Sequence, residues 1–342
     1  MGEKYIIDVD TGVDDAQAIM LALSRPDIQV VAITCVAGNV DVDQVCVNTL
    51  KVLSVCDRLD VRGHCLVLTL SECIVVILIG LFSRRKKSVP VYKGANISLV
   101  DEGIEATHYH GNDGLGDANL DIEVSLDKIQ KEHAVSALLR LVNEYPGEIT
   151  LVALAPLTNI AIALKQDPDF GKKLRRISIM GGNTQGRGNS TLCGEFNFAC
   201  DPDAAFVVLN ELCVPITLFP WEINLTSAAG HPWEWFDKWI QTDTSKGRFN
   251  KAACRLAVYR QREVNKNPIY RSCDLNAIAT VINPKIIQET KDVFATVELH
   301  GKYTRGMMVV DWRGSLKKSP NVTLVEKIDT SLARPMFENM LK

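Results

Sequence analysis

The sequence lacks an excess of positive charge. Its 342 residues contain 38 Lys and Arg against 41 Asp and Glu, so the formal net charge is −3. That balance provides no basic surface for nucleic acid or for an anionic membrane. The composition, 46% apolar and 23% charged, is that of an ordinary soluble protein and allows one large α/β domain or two smaller ones.

Paired cysteines and a targeting segment are also missing. None of the ten cysteines belongs to a CxxC pair, and several, such as Cys35, lie in apolar runs where a free thiol behaves as a small hydrophobe. The first residues run directly into a strand-like segment at Tyr5, so we expect no signal peptide. Both features predict a reducing compartment, the cytoplasm.

What the chain does have is a dense acidic motif at residues 8–15, which read Asp-Val-Asp-Thr-Gly-Val-Asp-Asp. A buried-strand pattern precedes it at 5–7, and apolar residues with helical spacing follow it from Ala16 to Leu23. The acids are therefore predicted at a strand end, in a turn and in the first turn of a helix. Four like charges repel one another unless a cation lies among them, and carboxylate oxygens suit Ca²⁺ or Mg²⁺.

The same acids also suit purely structural roles. Asp14 and Asp15 fit the positive end of a helix dipole, and Asp10 fits an N-cap or a turn. An EF-hand is excluded, because its ligand spacing with a distal Glu is absent. A phosphatase with an aspartyl nucleophile also begins with a strand and Asp-x-Asp, but it requires Thr or Val at the position of Gly12.

Strand-like and helix-like segments alternate along the chain. Strands are predicted at 30–34, 149–154, 177–180 and 216–219, and helices at 42–55, 158–164 and 204–209. This alternation predicts an open, mostly parallel α/β sheet with helices on both faces, in one domain spanning 1–342. In such a sheet, ligands bind at the carboxyl ends of the strands. The polar loops predicted to meet there are 8–15, 37–41, 154–159, 181–197 and 273–274.

Residues 62–88 do not fit this pattern. An apolar run at 65–82 precedes four consecutive basic residues, as in a transmembrane helix with a basic stop. Glu72 near its centre would cost about 2.5–3.5 kcal/mol if it stayed ionised. Without 62–88 the flanks would form a short loop into a strand. We therefore interpret 62–88 as an atypical apolar and basic insertion, and expect membrane contact only if 65–82 inserts.

Several polar motifs follow predicted strands. They are 37–39 (Ala-Gly-Asn), the Gly-rich turn 110–116, 155–160 (Ala-Pro-Leu-Thr-Asn-Ile), 180–182 (Met-Gly-Gly), 195–197 (Glu-Phe-Asn) and 273–274 (Cys-Asp). Each motif alone could have a purely structural role; Asn39 or Asp274, for example, could cap a helix. Together with 8–15, and in this order, they resemble the nucleoside hydrolases of the inosine–uridine type. The resemblance runs from Tyr5 to about Pro335, apart from 62–88.

The resemblance implies an enzyme that hydrolyses the N-glycosidic bond of ribonucleosides to ribose and a free base, usually as a homodimer or homotetramer. It implies a bound Ca²⁺ held by side chains of Asp10, Asp15 and Asp274 and by the backbone carbonyl of Leu154. Asp10 would also take the proton from the Ca²⁺-bound water that attacks the sugar. Asp8 would support this cluster from behind the metal ligands.

The resemblance also implies the residues that bind substrate. Asp14 and Asn197 would bind the ribose 2′-hydroxyl, and the 3′- and 5′-hydroxyls would be held by Asn39, Asn189 and Glu195. His110 would lie near the base and contribute to catalysis or binding there.

The sequence departs from the family pattern at Cys273. Many members carry His immediately before the last metal-binding Asp, where it can protonate the leaving base, and a thiol with a usual pKa near 8.5 is a poorer acid. The acid could be Cys273, His110 or water. An alternative function is a catalytically weak or silent, metal-dependent nucleoside- or ribose-binding protein, although a pure binder has no need of Asp10 beside a metal-bound water.

Overall fold

Strands and helices alternate along much of the chain, as the sequence predicts. The computed structural model describes residues 2–59, 87–100, 104, 106–226 and 229–342. Its strands are β1 (Glu3–Val9), β2 (Ile28–Cys35), β3 (Val91–Lys93), β4 (Ile129–Gln130), β5 (Ile149–Ala153), β6 (Arg176–Met180), β7 (Ile216–Phe219), β8 (His231–Pro232), β9 (Ile269–Tyr270), β10 (Ile287–Val293), β11 (Ala295–Val297), β12 (Met308–Val310) and β13 (Val322–Ile328).

The helices connect these strands. They are α1 (Val13–Ser24), α2 (Val42–Val55), α3 (Thr107–His110), α4 (Ala134–Glu144), α5 (Thr158–Gln166), α6 (Phe196–Cys200), α7 (Pro202–Glu211), α8 (Trp233–Trp239), α9 (Ser245–Ala253), α10 (Arg255–Tyr259), α11 (Cys273–Ile282) and α12 (Arg334–Met340). The four strands and three helices predicted in the alternating pattern are all present, with ends that agree within about two residues, the usual uncertainty of helix and strand boundaries. The strand predicted at 5–7 and the helix predicted after Asp15 are β1 and α1.

Nine of the described strands form one sheet, in the order β10-β13-β7-β6-β5-β1-β2-β3-β4. Every neighbouring pair is parallel except β10 and β13, so the prediction of a mostly parallel sheet is confirmed. The chain extends the sheet from β1 to β2, β3 and β4 on one side, then returns to place β5, β6 and β7 on the other. Such a reversal opens a crevice at the carboxyl ends of the two central strands, β1 and β5.

Both faces of the sheet are covered by helices. Along β1, Ile6 faces one apolar core while Tyr5 and Ile7 face another, as the two-residue period of a strand requires. Helices α1, α2, α11 and α12 contribute to the core with Tyr5 and Ile7, and α4, α5 and α7 contribute to the core with Ile6. The prediction of helices on both faces is therefore confirmed.

The strand register brings the predicted polar loops to one edge. Asp8 pairs with Thr34 of β2 and with Ala153 of β5, and Ala153 pairs in turn with Ile179 of β6. Because these four parallel strands end at the same level, the segments that leave them emerge side by side. The site is therefore built from segments far apart in the sequence.

The interpretation of 62–88 as an insertion falls largely outside the described residues, since 60–86 are not among them. Its flanks are described. The Val89 N–H donates to the Arg58 carbonyl oxygen at 3.0 Å, and the Arg58 Nε donates to the Lys87 carbonyl oxygen at 2.7 Å. The residues that flank this segment are thus adjacent to each other in the fold. In the described part of the chain, no helix combines the length and apolar character needed to cross a bilayer.

Candidate active site

The acidic motif begins in the last two residues of β1 and ends in the first turn of α1. Gly12, rather than Asp10, is the N-cap of α1, and its N–H donates to Asp15 Oδ2 at 2.9 Å. A Cβ at Gly12 would lie 2.6 Å from Nδ1 of His110 and 2.7 Å from Nδ2 of Asn39. Glycine is therefore required for these two side chains to close over the turn.

Asn39 follows β2 and joins two of the predicted metal ligands. Its backbone N–H donates to Asp10 Oδ2 at 2.8 Å, and its side-chain Nδ2 lies 3.3 Å from both the Asp10 carbonyl oxygen and Asp15 Oδ2. A Cβ at Gly38 would lie 2.2 Å from Asp10 Oδ2, so only glycine permits this approach. Asn39 does not cap α2, because Asp41 does.

Asp274 arrives from the other end of the chain, in the first turn of α11. Its helix is capped at Ser272, so the interpretation of Asp274 as an N-cap is wrong. Carboxylate oxygens of Asp14, Asp15 and Asp274 lie within 4.8 Å of one another. Asp14, assigned by resemblance to the ribose, is thus the third member of the tightest acid cluster. Asp10 lies beside this cluster, because Asn39 contacts both Asp10 and Asp15.

Two loops on the other side of β1 supply polar groups of the site. Asn197 donates from Nδ2 to the carbonyl oxygens of Leu154 and Met180, both at 3.0 Å. Glu195 is the N-cap of α6, with Oε1 accepting from the Asn197 N–H at 3.0 Å and Oε2 accepting from the Gly182 N–H at 2.7 Å. Backbone hydrogen bonds therefore fix the orientation of Glu195, and both donors of Asn197 are engaged.

Asp8 is fully buried in β1. Its Oδ1 accepts hydrogen bonds from Thr34 Oγ1 at 2.5 Å and from Asn159 Nδ2 at 2.9 Å. Asn159 also donates to the Cys35 carbonyl oxygen at 3.0 Å. These contacts tie together β1, β2 and the start of α5 beneath the acid cluster.

His110 and Asn189 are placed less centrally. His110 is buried at the start of α1, where its Nδ1 accepts the Val13 N–H at 3.1 Å. Asn189 is exposed, and its Oδ1 accepts the Phe196 N–H at 2.8 Å. Asn189 therefore contacts the residue that follows Glu195. His110 lies beside the site and packs against the acidic turn.

The acids of the site share a common electrostatic perturbation. Burial, followed by repulsion from Asp14, raises the pKa of Asp15 to about 7. Burial raises the pKa of Asp10 well above its usual value, with Asp15 as the next cause. The pKa of Asp274 is likewise raised well above its usual value, by burial and then by Asp14, Asp15 and Asp10. Burial also raises the pKa of Asp8 and of Glu195 to about 7.

These residues fit a divalent cation. Buried carboxylates that repel each other hold their charge only when a positive centre compensates them. Asp15 Oδ1 is buried and has no hydrogen-bond partner among the described residues, so this oxygen is available to a ligand. The amino ends of α1 and α11 also converge here, and their positive dipole ends lower the cost of collecting the carboxylates. All the donors are oxygens, the preference of hard cations. The cluster can therefore bind a metal ion.

Two buried polar residues beside the site, Asn159 and Gln17, have no role predicted from the sequence. Asn159 lies inside the motif 155–160, but its contacts to Asp8 and Cys35 follow from the strand order. Gln17 lies within the apolar helix that follows Asp15. A signal for Gln17 does exist in the sequence, because a polar residue in a helix buried on nearly all sides needs a hydrogen-bonded partner.

A family model described as "Inosine-uridine preferring nucleoside hydrolase" matches residues 5–66 and 61–334. Among curated relatives, the inosine-uridine preferring nucleoside hydrolase of Crithidia fasciculata is 30% identical over 331 residues, which covers 96% of this chain and 94% of the relative. The pyrimidine-specific ribonucleoside hydrolase of an Enterobacter species is 30% identical over 341 residues, covering 96% and 94%.

Solved structures agree with the sequence relatives. A structure titled "Inosine-Guanosine Nucleoside Hydrolase" superposes with a TM-score of 0.83 at 30% identity, covering 100% of this chain and 99% of the other. The family match rules out a phosphatase as the source of the acidic motif, and the relatives are enzymes rather than silent binding proteins. The chain therefore belongs to the inosine-uridine preferring nucleoside hydrolase family, and it is a ribonucleoside hydrolase that cleaves N-glycosidic bonds.

Proposed function

We propose that this hydrolase uses Ca²⁺, held by Asp10, Asp15, Asp274 and the Leu154 carbonyl, to convert a ribonucleoside and water into ribose and a free base. The observation that carries the proposal is the gathering of acids at the carboxyl edge of the sheet: oxygens of Asp14, Asp15 and Asp274 lie within 4.8 Å of one another, and Asn39 links Asp10 to Asp15. Ca²⁺ matches an all-oxygen ligand set that includes a backbone carbonyl, and it accepts irregular geometry.

Asp10 is the proposed general base. When bound, Ca²⁺ would orient the attacking water and lower its pKa. Because Ca²⁺ does this less strongly than Zn²⁺, a carboxylate beside the water is needed to accept the proton. The Asn39 N–H fixes one oxygen of Asp10 at 2.8 Å, which sets the plane of the carboxylate relative to its neighbours.

The ribose is the proposed centre of recognition. Asp14, Asn39, Asn189, Glu195 and Asn197 are the residues assigned to its hydroxyls. Asn197 uses both N–H donors on backbone carbonyls, so its side-chain oxygen is the group that it offers to a hydroxyl. Glu195 is likewise held by backbone N–H groups before substrate arrives. Such fixed polar groups bind a polyol with little further ordering.

The same carboxylates favour the transition state. Cleavage of the C1′–N bond builds positive charge on the ribose ring, as in other glycosidic hydrolyses. Negative groups around the ring stabilise that cation more than the neutral substrate, and only such differential stabilisation lowers the barrier to the chemical step. We assign this role to Asp14 and Glu195.

The relatives differ in the nucleosides or base class that they name, which are inosine-uridine, pyrimidine and inosine-guanosine. Their common feature is the nucleoside, which agrees with recognition through ribose. Protonation of the leaving base is assigned to Cys273, His110 or water.

The assembly is proposed as a homodimer or homotetramer. The compartment is proposed as the cytoplasm, which the free thiols of the described cysteines support.

The decisive experiment measures free ribose after incubation with inosine, uridine, adenosine and nicotinamide riboside, with and without a calcium chelator. We expect ribose release from at least one nucleoside, loss of that release with chelator, and recovery on addition of Ca²⁺. Metal analysis of the purified protein should give about one Ca²⁺ per chain. Full activity in a preparation shown to be free of metal would refute the proposal.

A further inference from the structure

Gln17 lies one helical turn after Asp14 on α1, and its side chain is completely buried. Residues three apart on a helix share a face. Gln17 therefore points to the same side of α1 as Asp14, toward the start of α11. The helix around it is otherwise apolar from Ala16 to Leu23, so a buried amide at this position requires partners from elsewhere in the fold.

The partners come from separate segments. Gln17 Nε2 lies 2.9 Å from Asn250 Oδ1, 3.1 Å from Cys254 Sγ and 3.0 Å from the Tyr270 hydroxyl. Its Oε1 accepts a hydrogen bond from Ser272 Oγ at 2.8 Å. All four partners are buried. A single amide thus binds α9, the turn after it, β9 and the residue before α11.

The Ser272 hydroxyl does not make the hydrogen bond that is usual at its position. It is the N-cap of α11, where a serine hydroxyl ordinarily accepts a hydrogen bond from the first turn of its own helix. Here the hydroxyl makes no such bond and donates to Gln17 instead. The first N–H of α11, that of Cys273, is accepted by Asp14 Oδ2 at 3.3 Å. The amino end of α11 is therefore held by side chains of α1.

We propose that Gln17 is a positioning residue for the metal site. Its amide fixes Ser272, and through it the first turn of α11, so that Asp274 lies at the correct distance from Asp14 and Asp15. The inference rests on the metal site proposed above. Gln17 itself does not contact the ion or the substrate. Its effect is exerted through the spacing of the acids. Metal affinity depends on that spacing more strongly than the stability of the rest of the fold does.

The test compares Ca²⁺ affinity and amide hydrogen exchange in four single variants and one double variant. Gln17→Met keeps the length of the side chain and removes the hydrogen bonds. Ser272→Ala removes the hydroxyl, whereas Ser272→Thr keeps it. The control is Asn321→Leu. The Asn321 side chain makes three hydrogen bonds, to the Leu209 carbonyl and to both backbone groups of Ala295. Asn321 precedes β13, at the amino edge of the sheet and away from the site.

We expect Gln17→Met to weaken Ca²⁺ binding by about tenfold or more, Ser272→Ala by a smaller factor, and Ser272→Thr by less than about twofold. Exchange at residues 273–276 should accelerate in Gln17→Met and Ser272→Ala. The double variant Gln17→Met with Ser272→Ala should bind Ca²⁺ no more weakly than Gln17→Met alone, because both changes break the same contact. Asn321→Leu should lower the unfolding midpoint and leave Ca²⁺ affinity and exchange at 273–276 unchanged.

Wild-type Ca²⁺ affinity and exchange in Gln17→Met, with only a lower unfolding midpoint, would overturn the inference and leave Gln17 as a core residue. If Gln17→Met does not fold, the comparison of Ser272→Ala with Ser272→Thr decides, and equal affinities would count against the proposal. If the wild-type protein binds no Ca²⁺, the proposed cofactor is wrong. The exchange measurement needs no ion, so it still tests whether Gln17 holds the start of α11.

Discussion

Asp14 Oδ2 accepts the backbone N–H of Cys273 at 3.3 Å, which joins the first turn of α1 to the first turn of α11. The contact brings Cys273 beside the acid cluster, next to Asp274. By the resemblance described above, His is common at this position. The thiol is a weak hydrogen-bond donor, whereas a protonated imidazole is a strong one. The way in which the leaving base is protonated is therefore the part of the proposed mechanism most specific to this chain.

If Cys273 contributes no proton, Cys273→Ser should leave turnover of a natural nucleoside almost unchanged. Cys273→His is expected to raise turnover of a poor leaving group such as inosine, because imidazole is the better general acid near neutral pH. The measurement is kcat for inosine and for p-nitrophenyl riboside. The p-nitrophenyl substrate has a good leaving group and should be insensitive to both changes, so a large loss of its hydrolysis in Cys273→Ser would contradict the prediction.

Replacement of Asp10 should remove a metal ligand and the general base together. Asp10→Ala is expected to lower kcat by about 10³-fold or more. The matched control is Asp43→Asn, because Asp43 is an exposed acid that pairs with Lys93 at 2.6 Å, at the start of α2. Steady-state kinetics with saturating Ca²⁺ make the comparison, and near-wild-type turnover in purified Asp10→Ala would be incompatible with the mechanism.

Loss of the 2′-hydroxyl should be costly, because it leaves polar groups of the site unpaired. Even one such group costs about 1–3 kcal/mol, so kcat/KM for 2′-deoxyinosine should fall at least roughly 5- to 150-fold below that for inosine. Asn197→Ala removes one proposed 2′-hydroxyl ligand and should narrow this difference. Equal kcat/KM for the two substrates in the wild-type enzyme is the result that rules out recognition through ribose.

We propose that residues 62–88 are foreign to the fold, in keeping with a translated intron. The flanking residues Arg58 and Val89 are already joined by a backbone hydrogen bond of 3.0 Å, so little rearrangement is needed to close the gap. The match to the family model also divides at the start of this segment, where its two ranges, 5–66 and 61–334, overlap, although the second range runs through 67–88. An insertion at such a point adds little loop-closure entropy, so the core can form with or without it.

Deletion of 62–88 should raise the soluble yield and leave Ca²⁺ binding and specific activity unchanged. The apolar run 65–82 would favour aggregation or membrane contact if it were exposed, and deletion removes it. Soluble yield, membrane fractionation and ribose release per mole of folded protein give the answer. If the shortened chain does not fold, the segment belongs to the core and the interpretation is wrong.

The sequence by itself determined the local structure and the identity of the chemical groups. The strand before Asp8, the helix after Asp15 and helix α2 at 42–55 follow from apolar periodicity, which depends only on neighbours along the chain. The order of the polar motifs was sufficient to identify the family. It also identified the edge of the sheet at which the loops meet, because parallel strands share their carboxyl ends.

Tertiary structure decided which groups touch. Gly12, Asp41 and Ser272 are the helix caps, where residue type alone also allowed Asp10, Asn39 and Asp274. The proximity of Asp274 to Asp14 and Asp15, the antiparallel strand β10 and the contacts of Gln17 depend on packing between distant segments. Such packing produces no periodic pattern in the sequence, because the two partners are far apart along the chain and neither one indicates the other.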